Sequence, residues 1–204
     1  GVYKDNIKAL LSLHLQHPSF IWRLELGKTT QISTTQFDLT PYEVATRISY
    51  MAADTTPDAE LLAAADANQL TTLEQVRAQA MRLLQTTNGK KKVRASLMRY
   101  SMSGVVQDFS MLPADLKQGI QLDGLSSAIT AETEAFIDHA VFTQKASFKT
   151  LLTSKDSFAS HSGLATIYGH TPMTGTTPAM MSGRRQGLLM RSSFLSWPSN
   201  RTGI

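Results

Sequence analysis

The sequence predicts an all-α protein, a compact multi-helix bundle of roughly eight to ten helices with a long loop and a C-terminal arm. Three observations predict it. Three helix starts follow one another between Thr40 and Tyr100. A long apolar stripe (Ile129, Thr133, Phe136, Ala140, widened by Ile137 and Val141) runs at helical spacing through 127–143. And no two stretches read as convincing strands that would pair with each other.

Taken in order, Ile7, Leu10, Leu11 and His14 place a helix over about 3–16, ended by His17-Pro18, since the residue before proline avoids the α region. The run Phe20 to Leu26, closed by Gly27, reads as a short buried helix or a strand; helix is preferred because nothing else offers a strand partner. Residues 28–38 are rich in Thr, Ser and Gln and read as a surface loop.

Thr40-Pro41-Tyr42-Glu43 is a capping box with proline at the first helical position: the threonine oxygen accepts from a free N–H and the glutamate reaches back. The helix it opens, 41–52, carries Val44, Ile48 and Met51, with Tyr42 and Ala45 beside them. Thr56-Pro57 signals a second, alanine-rich helix over 57–67. Thr72-Leu73-Glu74-Gln75 is a second capping box, opening 73–86, and Asn88-Gly89 reads as its C-terminal stop. Lys90-Lys91-Lys92 then opens a helix over 90–103. Pro113 to Leu116 suggests one short helical turn. Short helices are expected at 147–153 and 160–168, the second stopped by Gly169. Residues 170–183 are a loop or lid, and 184–195 re-enter as a short helix or an extended segment. The expected division is a helical domain at 1–169 and a loop with a basic C-terminal arm at 170–204, the start of a second domain or an interface segment.

The chain has 204 residues, 42% hydrophobic and 18% charged, enough apolar material for a real core and too little charge for disorder. Net charge is +4, and all of the excess falls after Gly169, where Arg184, Arg185, Arg191 and Arg201 meet no carboxylate. The absence of cysteine excludes disulfides, thiolate metal sites, covalent c-type haem and cysteine nucleophiles within the chain. No apolar run approaches the ~18 residues that span a bilayer.

Several stretches resemble a known set of domains. They are HPSFIWRLELG (17–27), LTPYEVATRISY (39–50), TPDAELL (56–62), Glu132-Thr133-Glu134-Ala135-Phe136 with Asp138-His139, and RRQGLL (184–189) followed by Asn200-Arg201-Thr202. In this order and spacing they are similar to the uncharacterised planctomycete cytochrome-associated domains, found also in exported proteins and lipoproteins of myxobacteria-like species. The resemblance implies an exported helical module, periplasmic or extracellular and outer-membrane associated. It also implies that longer members are joined to c-type cytochrome domains, so that haem belongs to a partner domain and no cofactor to this chain. It carries no catalytic residue. It implies too that the chain is the central portion of a larger protein, with membrane attachment through a lipoprotein partner or a region before Gly1.

The candidate residues have ordinary readings beside them. His14, His17, His139, His161 and His170 show no ligand spacing, so structural or surface roles are expected rather than a metal site. Met173, Met180 and Met181 sit in the loop, but core filling accounts for most methionines. Glu132, Glu134 and Asp138 crowd one helix and read as a solvated face. Lys90 to Lys92 read as a hydrated helix start with some pull on anions. The C-terminal arm is the more specific feature: Arg184, Arg185, Arg191, Phe194, Trp197 and Arg201 are the expected partner-binding residues, with Arg184 or Arg185 also expected to tie the arm to carboxylates of the body. No nucleic-acid motif is present. The residues thus point to a non-catalytic binding or structural module that contacts another chain or the remainder of the same protein. The alternatives are a redox-silent part of a c-type-cytochrome-linked oxidoreductase, and a glycan-binding module using Trp22 or Trp197.

Overall fold

Helices carry the regular structure, as the sequence predicts; among the described residues strand pairing is confined to two short antiparallel ladders. The computed structural model describes residues 2–28, 31–33, 36–104, 106, 108–109 and 119–196. Pro113 to Leu116, Trp197 and Asn200-Arg201-Thr202 lie outside them. The chain forms two compact units, Gly1–Gln85 and Thr86–Ile204. The segment after Gly169 belongs to the second unit.

In the first unit, α1 (Val2–Gln16) ends before His17-Pro18 as expected. The run after it is not one helix. A single turn, α2 (Pro18–Ile21), gives way to irregular chain over 23–28. Within the stretch expected to be a surface loop, β1 (Gln31–Ser33) pairs with β2 (Gln36–Phe37).

The capping box at Thr40 is present and opens α3 (Pro41–Ala53). Its Glu43 does more than cap. It accepts from Thr40 N at 2.7 Å, and from Leu26 N at 2.6 Å and Gly27 N at 3.0 Å, so it pins the preceding segment to the helix. These donors lower its pKa to about 2, the Thr40 amide contributing most. The buried face of α3 is Ala45, Ile48, Ser49, Ala52 and Ala53; Met51, expected in the stripe, is exposed. α4 (Ala59–Asp66) starts later than Thr56-Pro57 suggests, because Asp58 is the cap and accepts from Leu61 N at 2.9 Å. Asp58 also receives a two-pronged bond from Arg82 of α5 (Leu73–Gln85). The second capping box holds: Thr72 accepts from Gln75 N, and the Gln75 side chain accepts from Thr72 N. α3, α4 and α5 bury Ala45, Ile48, Leu61, Ala65, Leu70 and Leu83 between them. Small alanines at the contact let the helices approach closely.

In the second unit, α6 (Thr87–Tyr100) begins where a helix stop was expected. Thr86 takes the cap and accepts from Gly89 N at 3.1 Å, so Asn88 and Gly89 form the first turn instead of ending α5. The three lysines fall in the second turn. α7 (Leu125–Asp138) runs on through a π-helical turn at His139–Thr143, and Ile129, Thr133, Phe136, Ile137 and Ala140 are buried as the stripe predicts. After α8 (Phe148–Thr153), β3 (Asp156–Ser157) pairs with β4 (Ala179–Met180), and α9 (Ser162–Tyr168) ends at left-handed Gly169. A 3₁₀ turn (Leu188–Met190) and α10 (Ser192–Leu195) follow. The second unit has two apolar clusters. One gathers around Leu125, Ile129, Leu164 and Tyr168, the other around Met98, Phe136, Ile137 and Leu188. Each fully buried Phe, Ile or Leu contributes about 1.5–3 kcal/mol.

Candidate functional site

The C-terminal segment is tied into its own unit at Arg191. This arginine does not lie where a partner would reach it; it is wholly buried. Its Nη1 donates to Glu132 Oε1, its Nη2 donates to Asp156 O, and the guanidinium stacks 3.4 Å from the centroid of the Phe136 ring. Glu132 likewise departs from the expected solvated face. It is buried, and it also accepts from Phe158 N at 3.1 Å and from the Tyr168 hydroxyl at 3.3 Å. That hydroxyl in turn accepts from Ser192 N at 3.0 Å. Burial, followed by the Glu132 charge, pushes the Tyr168 phenol up to about 12. The carboxylate–arginine tie expected of Arg184 or Arg185 is thus made by Arg191. A charge this deep needs its partner and its hydrogen bonds; four contacts to Glu132 and Arg191 supply most of them, and the buried Arg191 Nε is left without an acceptor.

The remaining carboxylates of α7 are also spoken for. Glu134 and Asp138 are half-buried, and both accept from Arg94 of α6, at 3.3 Å and at 2.8–3.0 Å. Spacing of four puts the two like charges on one face, and one arginine set between them offsets part of their repulsion.

Ser157 and His170 look at first like a nucleophile and its base. His170 Nε2 is 2.8 Å from Ser157 Oγ, and His170 Nδ1 is 2.7 Å from Thr171 O, which fits a ring with the proton on Nδ1 and a serine donating to Nε2. But Ser157 is completely buried, and its oxygen already accepts from Ala159 N at 3.3 Å. A nucleophile must meet substrate, so the pair reads as a clasp between β3 and the segment after α9. The other histidines have local partners too: His14 with Leu10 O, His161 with Asp123 O, and His139 against the Phe158 ring. Among the described residues no group of three His, Asp or Glu could hold a metal ion.

Arg184 is exposed. Arg185 is half-buried, donating only to Met190 O at 3.4 Å and lying 6.0 Å from the centroid of the Tyr168 ring. Phe194 is half-buried within its unit. Beside Arg185 is a cavity of about 250 Å³, walled by Ile120, Leu122, Leu125, Ile129, Ile167 and Leu195 with Ser192 and Ser196.

Among the described residues, a run of exposed apolar side chains that the sequence reading does not single out lies in α1 and the segment after it. No residue of α1 is buried. Leu10, Leu11, Leu13 and Leu15, then Phe20, Ile21, Trp22, Leu24 and Leu26, are all solvent-facing, with Leu13 at 67% and Trp22 at 68%. The signal is present: leucines at 10, 11, 13 and 15 spread over about 200° of the helix circumference, wider than one core-facing stripe.

A family model, PSD4: Protein of unknown function (DUF1592), matches residues 39–170, well over half of the chain. The chain belongs to this family. The PSD4 match runs from the α3 cap past α9, so it takes in Glu132, Ser157, Tyr168 and His170 but stops short of Arg191 and leaves out α1. Searches of curated proteins and of solved structures found no match.

Proposed function

We propose that this PSD4-family chain is a non-catalytic binding module of an exported multi-subunit or multidomain assembly. The observation that carries the reading is the apolar surface from α1 to Leu26, far larger than scattered single side chains. Water-exposed leucine and aromatic side chains at this density favour burial against another protein surface. The charges along the stretch describe that surface further. Among the described residues the side chains of Lys4, Lys8 and Lys28 have no carboxylate partner, Glu25 is engaged by Arg47 and Arg23, and Asp5 is the one acid left over, so the excess is basic. The fitting partner is therefore an apolar helix or groove with an acidic rim, on another chain or on a further part of the same protein. The shut Ser157–His170 pair and the engaged carboxylates of α7 support a binding role over a catalytic one. The exported setting and a haem-bearing neighbour rest on the sequence resemblance.

Native purification tests this. The chain, isolated gently from its own source, is expected to run well above its 22.4 kDa mass. The double variant Leu10→Glu/Leu13→Glu is expected to run alone while unfolding at an unchanged temperature. A wild-type chain that runs alone at its own mass would defeat the proposal. A visible absorption spectrum of the same complex decides whether its partner carries haem.

A further inference from the structure

We infer that the cavity beside Arg185 binds a small amphiphilic carboxylic acid, with the carboxylate on the guanidinium and the hydrocarbon body among Leu122, Leu125, Ile129 and Ile167. This is separate from the protein-docking role proposed above and does not depend on it.

Three observations converge. The first is the lining, where hydrocarbon side chains from the chain before α7, from α7 and from α9 form the walls. Small-ligand sites have this composition, apolar walls with a few polar groups that fix orientation, and here the pocket is an open cleft. The second is the charge. Arg185 is the one charged residue in the lining, and among the described residues it has no carboxylate partner. Its contacts are one long bond to a backbone carbonyl and the distant face of Tyr168. Arg99 and Arg184 are exposed and left to water, so the informative contrast is with the other arginines of the unit that are buried or half-buried among the described residues. Arg191 has Glu132, and Arg94 has Glu134 and Asp138. A half-buried guanidinium next to hydrocarbon is left wanting a planar anion, and a carboxylate matches its fork. The third is size. About 250 Å³ lies just under the range of drug-sized pockets, so the ligand is a short chain or a single ring. Ser192 adds a hydroxyl at the rim, while the Ser196 hydroxyl already donates to Ser193 O.

The test is calorimetric titration of the full chain with hexanoate, alongside hexanamide, which keeps the shape and removes the charge. The chain is expected to bind a ligand of this size, hexanoate, with a dissociation constant of about 0.1–1 mM. Hexanamide is expected to bind at least about tenfold more weakly. Arg185→Gln should lose the preference for the acid, while Arg185→Lys should keep part of it. Because Arg185 makes little contact with its own unit, the unfolding temperature of Arg185→Gln should match wild type. Ile167→Trp fills the cavity and should abolish binding with Arg185 intact, which keeps the test valid should the arginine variants fold poorly. No saturable heat with about 10 mM hexanoate, equal binding of acid and amide, or full binding by Ile167→Trp would each overturn the inference.

Discussion

Glu132 and Arg191 stand 59 residues apart in the chain and form an ion pair whose side chains are 1% and 0% exposed. The pair joins α7 to the start of α10. Its value lies in what happens when one member leaves. Arg191→Met strands a buried carboxylate, and a loss of about 3–5 kcal/mol is expected. Adding Glu132→Gln removes the stranded charge, so the double variant should recover part of that loss. Urea unfolding of the four proteins measures the coupling; losses that simply add would show that the two side chains act independently.

Tyr168 connects the same pair to the backbone. Tyr168→Phe leaves Ser192 N without its acceptor inside the protein, at a cost of about 1–3 kcal/mol. The hydroxyl also makes stability depend on alkali. Its folded pKa is about 12 against an ordinary 10.0, so its protonated form is preferred in the fold. The contribution is fully present below pH 10 and fades as pH rises through about 12. Unfolding temperatures collected across that window should fall more steeply for wild type than for Tyr168→Phe. Parallel curves would mean that Tyr168 ionises as readily folded as unfolded.

These contacts show where reading the sequence succeeds and where it stops. The capping boxes at Thr40 and Thr72 and the stripe through Ile129 and Phe136 were legible because each depends on neighbours within a turn or two. Glu132 was not. Its spacing beside Glu134 and Asp138 says solvent, and only Arg191 and Arg94, brought in by the fold, turn those acids inward. Asn88-Gly89 misled for a local reason: the same two residues suit a helix end or a first turn, and the Thr86 hydroxyl decides for the turn. For the candidate site, the RRQGLL stretch was singled out in sequence, yet the partner of Arg191 and the hydrocarbon next to Arg185 come from segments far away in the chain.

Glu43 gives the first unit an acid-side signature. Its folded pKa of about 2 lies below the ordinary 4.5, so the ionised form is favoured in the fold. That stabilisation is complete above pH 4.5 and is lost as pH falls through about 2. Glu43→Gln removes the charge from four hydrogen bonds, including those of Leu26 and Gly27, and should cost about 1–2 kcal/mol at neutral pH. Between pH 4.5 and 2 the gap from wild type should close. A gap that stays constant through that window would remove Glu43 ionisation as its source.

Gly187 sits where no other residue fits. Its φ of 63° and ψ of −175° belong to a region that side chains avoid, and a Cβ there would lie 1.9 Å from Leu152 O. Its N–H donates to Ser154 O at 2.6 Å, which lays the segment before Arg191 against the end of α8. Gly187→Ala should therefore cost more than about 3 kcal/mol, combining backbone strain with a clash against main chain that has nowhere to go. Gly175, with open space around its Cα, is the control and should tolerate alanine. Similar stabilities for the two variants would disprove the tight docking of Gly187.

The leucines of α1 should behave in the opposite way. Leu13 is two-thirds exposed and no residue of its helix is buried, so Leu13→Gln removes no core contact. In the purified chain its effect on stability is expected within about ±0.5 kcal/mol. In the native assembly the same change should weaken association by far more than that, because a leucine centred in an interface gives up its burial when it becomes polar. The comparison separates two explanations of an exposed leucine. A helix that folds back on its own chain would show the loss in the isolated protein, by urea unfolding. A helix kept for a partner would show it only in the complex, by sedimentation at matched concentration. Equal losses in both settings would assign α1 to the fold of this chain and withdraw it from the interface.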